Sequence, residues 1–395
     1  MGVNVMCVTS AGGMPLFTRH LGRAEPLPFS VVGSLNGVHL FSKSHDVKLL
    51  NTHTESSTVL WKEYEESVVL IAVSALNDET VLVQLLDTIF AAMILTVGIE
   101  DLKSIKNVER LKRELRPCYL LVDKIMECLD FGDRYVGSST QIFNCVETVL
   151  CAEKLSLMVC LESYVECICS LFGCVTVENC IAVATDAWWD LDPVERKLLS
   201  HIIIANSNCT AFDIPVFLPG KSPTVPFRLV GVCLIIGVWV TVLCGPKPDL
   251  AAIQQTAFQV WSPLVASLRS MLNARPHSIP STVQLHSSVL GFLLVDKKIG
   301  KYLLSSCSML SKKESRSPSE VLKTFYYQAA ASLVDCDKSH KPLETYWCSE
   351  YHKVHGIRKG ALIFCVMYSA SVPTHTMRLI SEESLTSLLS DSLSW

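Results

Sequence analysis

Apolar positions in the first 130 residues fall into runs of strand length separated by longer stretches of helical period. Val3 to Thr9 is a short apolar run, Gly12-Gly13 marks a turn, and Pro15 to Arg19 reads as a second strand. Pro28 to Phe41, PFSVVGSLNGVHLF, has a helical pattern with its proline near the first turn, where a missing N–H is tolerated. Val47 to Thr54, Thr58 to Tyr64 and Ser67 to Ser74 then read as strands, and SVVLIAVSA is apolar throughout, as a central strand would be. Asn77 to Thr80 caps a helix predicted from Val81 to about Val97. A further helical stretch, Val108 to about Leu129, is kinked or restarted at Pro117. The order is strand, strand, helix, three strands, helix, helix.

That order recurs. After a helical stretch near Glu153 to Ser170, CVTVENCIAVAT gives two strands, and Pro193 to Ala205 a helix with Asp192 as N-cap. Phe212 to Leu218, Pro226 to Leu234 and Val238 to Cys244 read as strands, and Pro248 to Met271 as an amphipathic helical stretch broken at Pro263. A third round places strands at Ser288 to Leu294 and Lys301 to Ser306, and a helix at Ser319 to Leu333. Strands near Glu344 to Ser349, His352 to Ile357 and Ala361 to Ser369 follow, then a helix from Thr374 to about Leu393. The rounds share order, not sequence. GSST at Gly137 to Thr140 and NARPHSIP at Asn273 to Pro280 join them, and SKKESRSPSE at Ser311 to Glu320 reads as a solvated loop. The prediction is an α+β protein of three domains, 1–135, 136–275 and 281–395.

Composition sharpens this picture. A chain of 395 residues is too long for one ordinary core. Hydrophobic residues make up 49%, charged residues 18%, and mean hydropathy is +0.35, which implies extensive burial, including faces that could bury against other chains. A net charge of −4 with no long basic block argues against nucleic acid as a partner. Seven of the 17 cysteines fall between Cys145 and Cys180, yet no CxxC pair exists, so reduced core thiols are a simpler reading than a zinc site. MGVNVMCVTSAGG lacks the pattern of a signal peptide, and Met6 stands where N-myristoylation needs Ser or Thr. The longest apolar run, Leu229 to Cys244, is shorter than the ~20 residues of a membrane span and suits two buried strands turning near Gly237.

Catalytic motifs are missing. GKS at Gly220 to Ser222 resembles the end of a phosphate loop, but Pro215 stands where another glycine is needed. GSLNG at Gly33 to Gly37 has Leu35 where a nucleophile elbow carries serine. His352 and His355 would point to opposite faces of their strand, which disfavours a metal, and Trp188-Trp189 suits core or interface packing. No metal, cofactor or catalytic residue is expected.

Surfaces therefore carry what function can be read. In the helix over Pro28 to Phe41, Phe29, Val32, Leu35 and Phe41 can face a sheet, while Ser30, Gly33 and Gly37 form a separate small-residue stripe. Two glycines should each cost a helix interior roughly 1 kcal/mol relative to alanine. The stripe either packs within this chain or receives a partner's backbone. A second feature is KNVERLKRELR, with Lys106, Arg110, Lys112, Arg113 and Arg116. It could attract anionic phosphoinositide headgroups, although a solvated helix face paired with Glu109 and Glu114 is the simpler reading.

PLPFSVVGSLNGVHLF, STVLWKEY, KNVERLKREL, SPTVPFRLV and LCGPKP together closely resemble the Fuzzy family of planar cell polarity effectors, most strongly over residues 26–125 and 187–246. The resemblance implies three longin-like domains, each a five-stranded antiparallel sheet flanked by helices, in the class that includes subunits of heterodimeric Rab exchange factors. It implies a non-catalytic subunit of the CPLANE complex, found in the cytoplasm and cytoskeleton at the basal body of the cilium. The partners so implied are Inturned, the WD-repeat protein Fritz (Wdpcp), a Rab-like small GTPase and intraflagellar-transport proteins. Guanine-nucleotide exchange as a heterodimer and a role as a longin-type trafficking adaptor without exchange remain two alternatives. Carried over, Phe29, Ser30, Gly33, Asn36 and Gly37 become candidate partner or GTPase contacts.

Overall fold

Two strands that are apolar at nearly every position need cover on both faces, and the first sheet is built around them. The computed structural model describes residues 2–22, 25–55, 57–75, 79–129, 142–273, 278–280, 283, 285–306, 318–334, 344–389 and 395. The chain divides into one unit of Met1–Arg134 with Pro215–Phe227 and another of Tyr135–Ile214 with Arg228–Trp395.

In the first unit, strands β1 (Gly2–Thr9) and β2 (Pro15–Gly22) lead to helix α1 (Phe29–Ser44). Strands β3 (Asn51–His53), β4 (Thr58–Tyr64) and β5 (Val68–Ser74) follow, then helices α2 (Glu79–Val97), α3 (Ile99–Lys103), α4 (Val108–Glu114) and α5 (Cys118–Glu127). The five strands form an antiparallel sheet in the order β2-β1-β5-β4-β3. On one face Met6, Val8, Val59, Trp61, Val69 and Ile71 pack on Val32 of α1. On the other, Tyr64 stacks on Phe90 of α2 and Phe17 meets Tyr119 of α5. α2 is long and apolar enough to cross a bilayer, but most of it is buried in this unit, which accounts for its hydropathy.

The second unit contains β6 (Val146–Thr148), α6 (Lys154–Cys167), β7 (Phe172–Val177), β8 (Cys180–Ala184), α7 (Asp186–Trp189) and α8 (Pro193–Ala205). Strands β9 (Ala211–Leu218), β10 (Ser222–Ile235) and β11 (Val238–Cys244) precede α9 (Leu250–Trp261) and α10 (Val265–Asn273), with the end of β9 and the start of β10, Pro215–Phe227, counted in the first unit. The expected Asp192 cap is a full capping box with Glu195, and the expected turn in the apolar run falls at Gly237, where φ is +87°. Then come β12 (Val289–Asp296), β13 (Lys301–Ser306), α11 (Pro318–Val334), β14 (Glu344–Cys348), β15 (His352–Lys359), β16 (Leu362–Ser369) and α12 (Thr374–Leu388).

The strands of this unit form one sheet, not two: β14-β15-β16-β12-β13-β6-β8-β7-β11-β10-β9. Two antiparallel five-stranded sheets are joined by β6, which pairs parallel with β13 on one side and β8 on the other. Sequence reading expected separate sheets and did not find β6, because three residues, Val-Glu-Thr, are too few to show a period. Charge is buried beside this join. Arg196 is 2% exposed and lies over the Trp189 ring, as does Lys301, which is also 4.5 Å from the Trp395 ring. Burial, with Lys154 nearby, pushes the Lys301 ammonium down to about 8.

Other differences are local. The third strand shrinks to Asn51–His53, and the short helices α3 and α7 were not anticipated. Four of the seven clustered cysteines, Cys145, Cys151, Cys174 and Cys180, are buried as expected, whereas Cys167 and Cys169 at the end of α6 are exposed. The GSST joint, the Asn77-Asp78 cap, and most of both NARPHSIP and SKKESRSPSE lie outside the described residues.

Packing around β10 yields a stability test. A Cβ on Gly231 would fall 2.3 Å from the Phe212 ring, which in turn packs against Trp239. Gly231→Val is expected to cost about 1–3 kcal/mol in urea unfolding through overpacking, and Phe212→Leu in the same chain should recover part of that loss.

Candidate functional site

Helix α1 begins after Pro28, which offers no capping side chain, and it has no acidic residue in its first turn. Of its sixteen residues only Val32 and His39 are buried. They lie seven apart, so they define one line along the helix, and Leu35 and Asn36 fill in beside it as half-buried residues. The Leu35 carbonyl accepts a hydrogen bond from Trp61 Nε1 at 3.2 Å. The expectation that Phe29 and Phe41 also face the sheet is wrong: they are 78% and 67% exposed. Phe41 is nine residues beyond Val32, which at 3.6 residues per turn is half a turn out of phase, and Phe29 sits about 60° off the buried line.

The glycine stripe faces open space. A Cβ on Gly33 or Gly37 would meet nothing within 4 Å, and Ser30 is exposed beside them. Around the stripe stand Phe29, Val31, Val38 and Phe41, and Val47 and Leu50 continue the exposed apolar surface toward the edge strand β3. Val31, Val38, Val47 and Leu50 are not in the predicted set; the seven-residue spacing of Val32 and His39 is a signal for Val31 and Val38, whereas Val47 and Leu50 lie beyond the helix, where no period applies. Asn36 differs from the rest of the candidate set. It turns inward to the bend between β1 and β2, so close that a Cβ on Gly13, at φ +62°, would lie 1.9 Å from Asn36 Nδ2. Only glycine fits there.

The underside of α1 is incompletely hydrogen-bonded. Asn36 Oδ1 and both ring nitrogens of His39 are buried without a partner. At the end of the helix, Lys43 pairs with Glu63 at 2.5 Å and reaches Ser10 at 3.1 Å, and Ser10 also donates to Glu63. Burial pushes the Glu63 carboxyl up, but the hydrogen bonds from Lys43 and Ser10 outweigh it and hold the group below its usual range. Burial holds His39 below the usual histidine value, opposed by Glu63 and assisted by Lys43.

The basic residues lie on and around α4, whose Asn107 caps it by accepting from Arg110 N–H. Arg110 pairs with Glu114 at 2.8 Å and Lys112 with Glu109 at 3.8 Å, whereas Lys106, Arg113 and Arg116 are exposed and make no ion pair with a described residue. Exposed helix pairs of this kind add little to stability, because water screens both charges.

A Ser-His-Glu arrangement exists elsewhere. His355 Nδ1 lies 2.8 Å from Ser381 Oγ, and its Nε2 lies 3.4 Å from Glu344. Ser381 is fully buried and also hydrogen-bonded to the Tyr368 hydroxyl at 2.7 Å, so this group ties α12 to β15 and β16 where no substrate reaches. Among the described residues no cluster of three His, Cys, Asp or Glu side chains could hold a metal ion.

His39 makes the seat of α1 testable. Its native value is depressed, so the folded state keeps it neutral while the unfolded chain takes up a proton below about 6.5. Its contribution to stability is therefore lost as pH falls through 6.5. His39→Leu removes two unsatisfied nitrogens and is expected to stabilise the chain by about 1 kcal/mol, with a larger gain at pH 5.5 than at pH 7.5 in thermal unfolding.

Comparison with known proteins bears on the whole chain. Residues 3–125, 169–262 and 288–392 match the models described as the first, second and third longin domains of FUZ, MON1 and HPS1. The chain is 32% identical to "Protein fuzzy homolog" of Xenopus tropicalis over 98% of both chains. It is 33% identical to that of Rattus norvegicus over 98% of this chain and 97% of the relative, and 38% identical to that of Homo sapiens over 82% and 78%. With three longin domains in the matching order and relatives aligned along nearly its full length, the chain belongs to the Fuzzy family.

Proposed function

We propose that this chain is a non-catalytic subunit of a ciliogenesis and planar cell polarity effector complex, acting in the cytoplasm and cytoskeleton at the basal body. It pairs with Inturned, assembles with Fritz (Wdpcp), and binds a Rab-like small GTPase to direct intraflagellar-transport proteins and membrane cargo. The exposed face of α1 carries this reading. Phe29 and Phe41 are exposed on either side of two glycines at which a Cβ would meet nothing within 4 Å beyond the helix's own backbone. A partner's backbone approaching Gly33 and Gly37 compensates their helix cost and covers the apolar residues at about 25 cal/mol per Å². Ser30 lies within that surface, whereas Asn36 shapes it from below.

Exchange on this reading needs no acid or base. The partner remodels the GTPase switch loops by binding the nucleotide-free state more tightly than the loaded one. Lys106, Arg113 and Arg116, the unpaired cations around α4, are the residues through which an anionic membrane surface would be met.

Co-expression with Inturned followed by size-exclusion chromatography and nucleotide-release assays tests the proposal. A stable pair that accelerates release from a Rab-like GTPase makes the chain half of an exchange factor, and a pair that binds without acceleration makes it an adaptor. Absence of any pair overturns the reading. Gly33→Leu and Phe29→Asp are each expected to weaken pairing by about tenfold or more without lowering the thermal midpoint much, because both positions face solvent in the free chain, and Gly33→Leu should raise it as the helix loses a glycine.

A further inference from the structure

A small cavity lies on the α1 side of the first sheet, beneath the strap Pro26-Leu27 that leads into the helix. Register explains what lines it. In the antiparallel pair of β1 and β2, Asn4 stands opposite His20 and Met6 opposite Thr18, so these four side chains share one face. That face is the one toward α1, because Met6 packs with Val32 and Leu27 closes over the same cluster.

The polar members have no partner among the described residues. Asn4 is 7% exposed, lines the cavity, and makes no side-chain hydrogen bond to any described residue. An amide that borders a cavity without a partner in the chain is left to water or to a guest. Thr18 and His20 stand exposed at the rim on the edge strand and are likewise without side-chain partners among the described residues. Arg19 does not compete for the site, because its guanidinium lies on the opposite face and is held by Asp123.

The sign of the surroundings selects the guest. Pro26 to His45 contains no acidic residue, and the nearest acid along the chain is the exposed Glu25 just before the strap. The uncapped first turn of α1 follows the strap directly and adds the positive end of a helix dipole. Asn4 Nδ2, the Thr18 hydroxyl and the His20 ring are three groups able to donate that line the cavity from two strands. We infer that this cavity receives a carboxylate side chain, Asp or Glu, from the protein that docks on the exposed face of α1. The inference rests on the docking reading of α1 and gives its partner a chemistry: an apolar surface that covers Phe29 and the glycines, flanked by one acidic residue.

Two kinds of measurement test the two claims separately. Binding to Inturned is compared for the wild-type chain, His20→Glu, Thr18→Glu and His20→Lys; the substituted side chains are exposed, so folding is retained and is checked by thermal unfolding. Charge reversal at either position is expected to weaken pairing about tenfold or more, and His20→Lys to preserve it. Pairing that is unchanged or tightened by His20→Glu overturns the inference. Independently of any partner, selectively labelled Asn4 is followed by NMR in the full chain with acetate and with methylguanidinium as probes. A shift of its side-chain amide with acetate alone is expected. A shift with methylguanidinium alone, or with neither probe, overturns the assignment. Where acetate shifts Asn4 but Phe29→Asp leaves pairing intact, the cavity stands and the docking site on α1 falls.

Discussion

The seat of α1 is only two side chains wide, and the character of the first domain follows from it. Val32 and His39, with Leu35 half-buried beside them, hold a sixteen-residue helix against a sheet whose central strands β1 and β5 are apolar on both faces. On the opposite face of that sheet, α2 buries eleven of its nineteen residues. The asymmetry has a physical source: α2 is apolar all round its circumference, while α1 has spread its apolar residues over faces that the sheet cannot reach at once. A helix seated so narrowly contributes little to the core, and its outer surface is free to serve something else.

The same narrowness accounts for the unmet hydrogen bonds beneath it. His39 and Asn36 are enclosed by the sheet but are not answered by it. Such groups are rare in well-packed interiors and concentrate where a structure is held short of its most stable arrangement. Together with Asn4 they form a row of polar groups under and ahead of one helix, while the neighbouring Lys43, Glu63 and Ser10 are fully paired.

Much of this fold was legible in the sequence. Strands β4, β5, β13 and β16 and the helices α2, α8 and α12 announce themselves through apolar runs or caps, and the repeated order gave the three-domain plan. What was illegible had specific causes. β6 is three residues long, and its pairing is decided by partners more than thirty residues away, Ile181 on one side and Lys301 to Leu303 on the other. The face of α1 was misread at Phe29 and Phe41 because a helical wheel tells which residues share a side, not how wide a side the sheet will cover. Asn36 was placed on the outer stripe because nothing in its own segment points to Gly13, which lies in another turn. The cavity was invisible for the same reason: Asn4 and His20 become neighbours only through strand register.

β6 also changes what counts as a part of this molecule. Each of its edges carries a ladder, so the hydrogen bonding of the second domain runs without interruption into that of the third. A cut between them leaves β13 or β8 with an open edge where a native neighbour had been, and open edges recruit other chains. Three longin repeats therefore carry two sheets, not three. A lesion that removes β6 opens an edge in the second repeat and in the third at once.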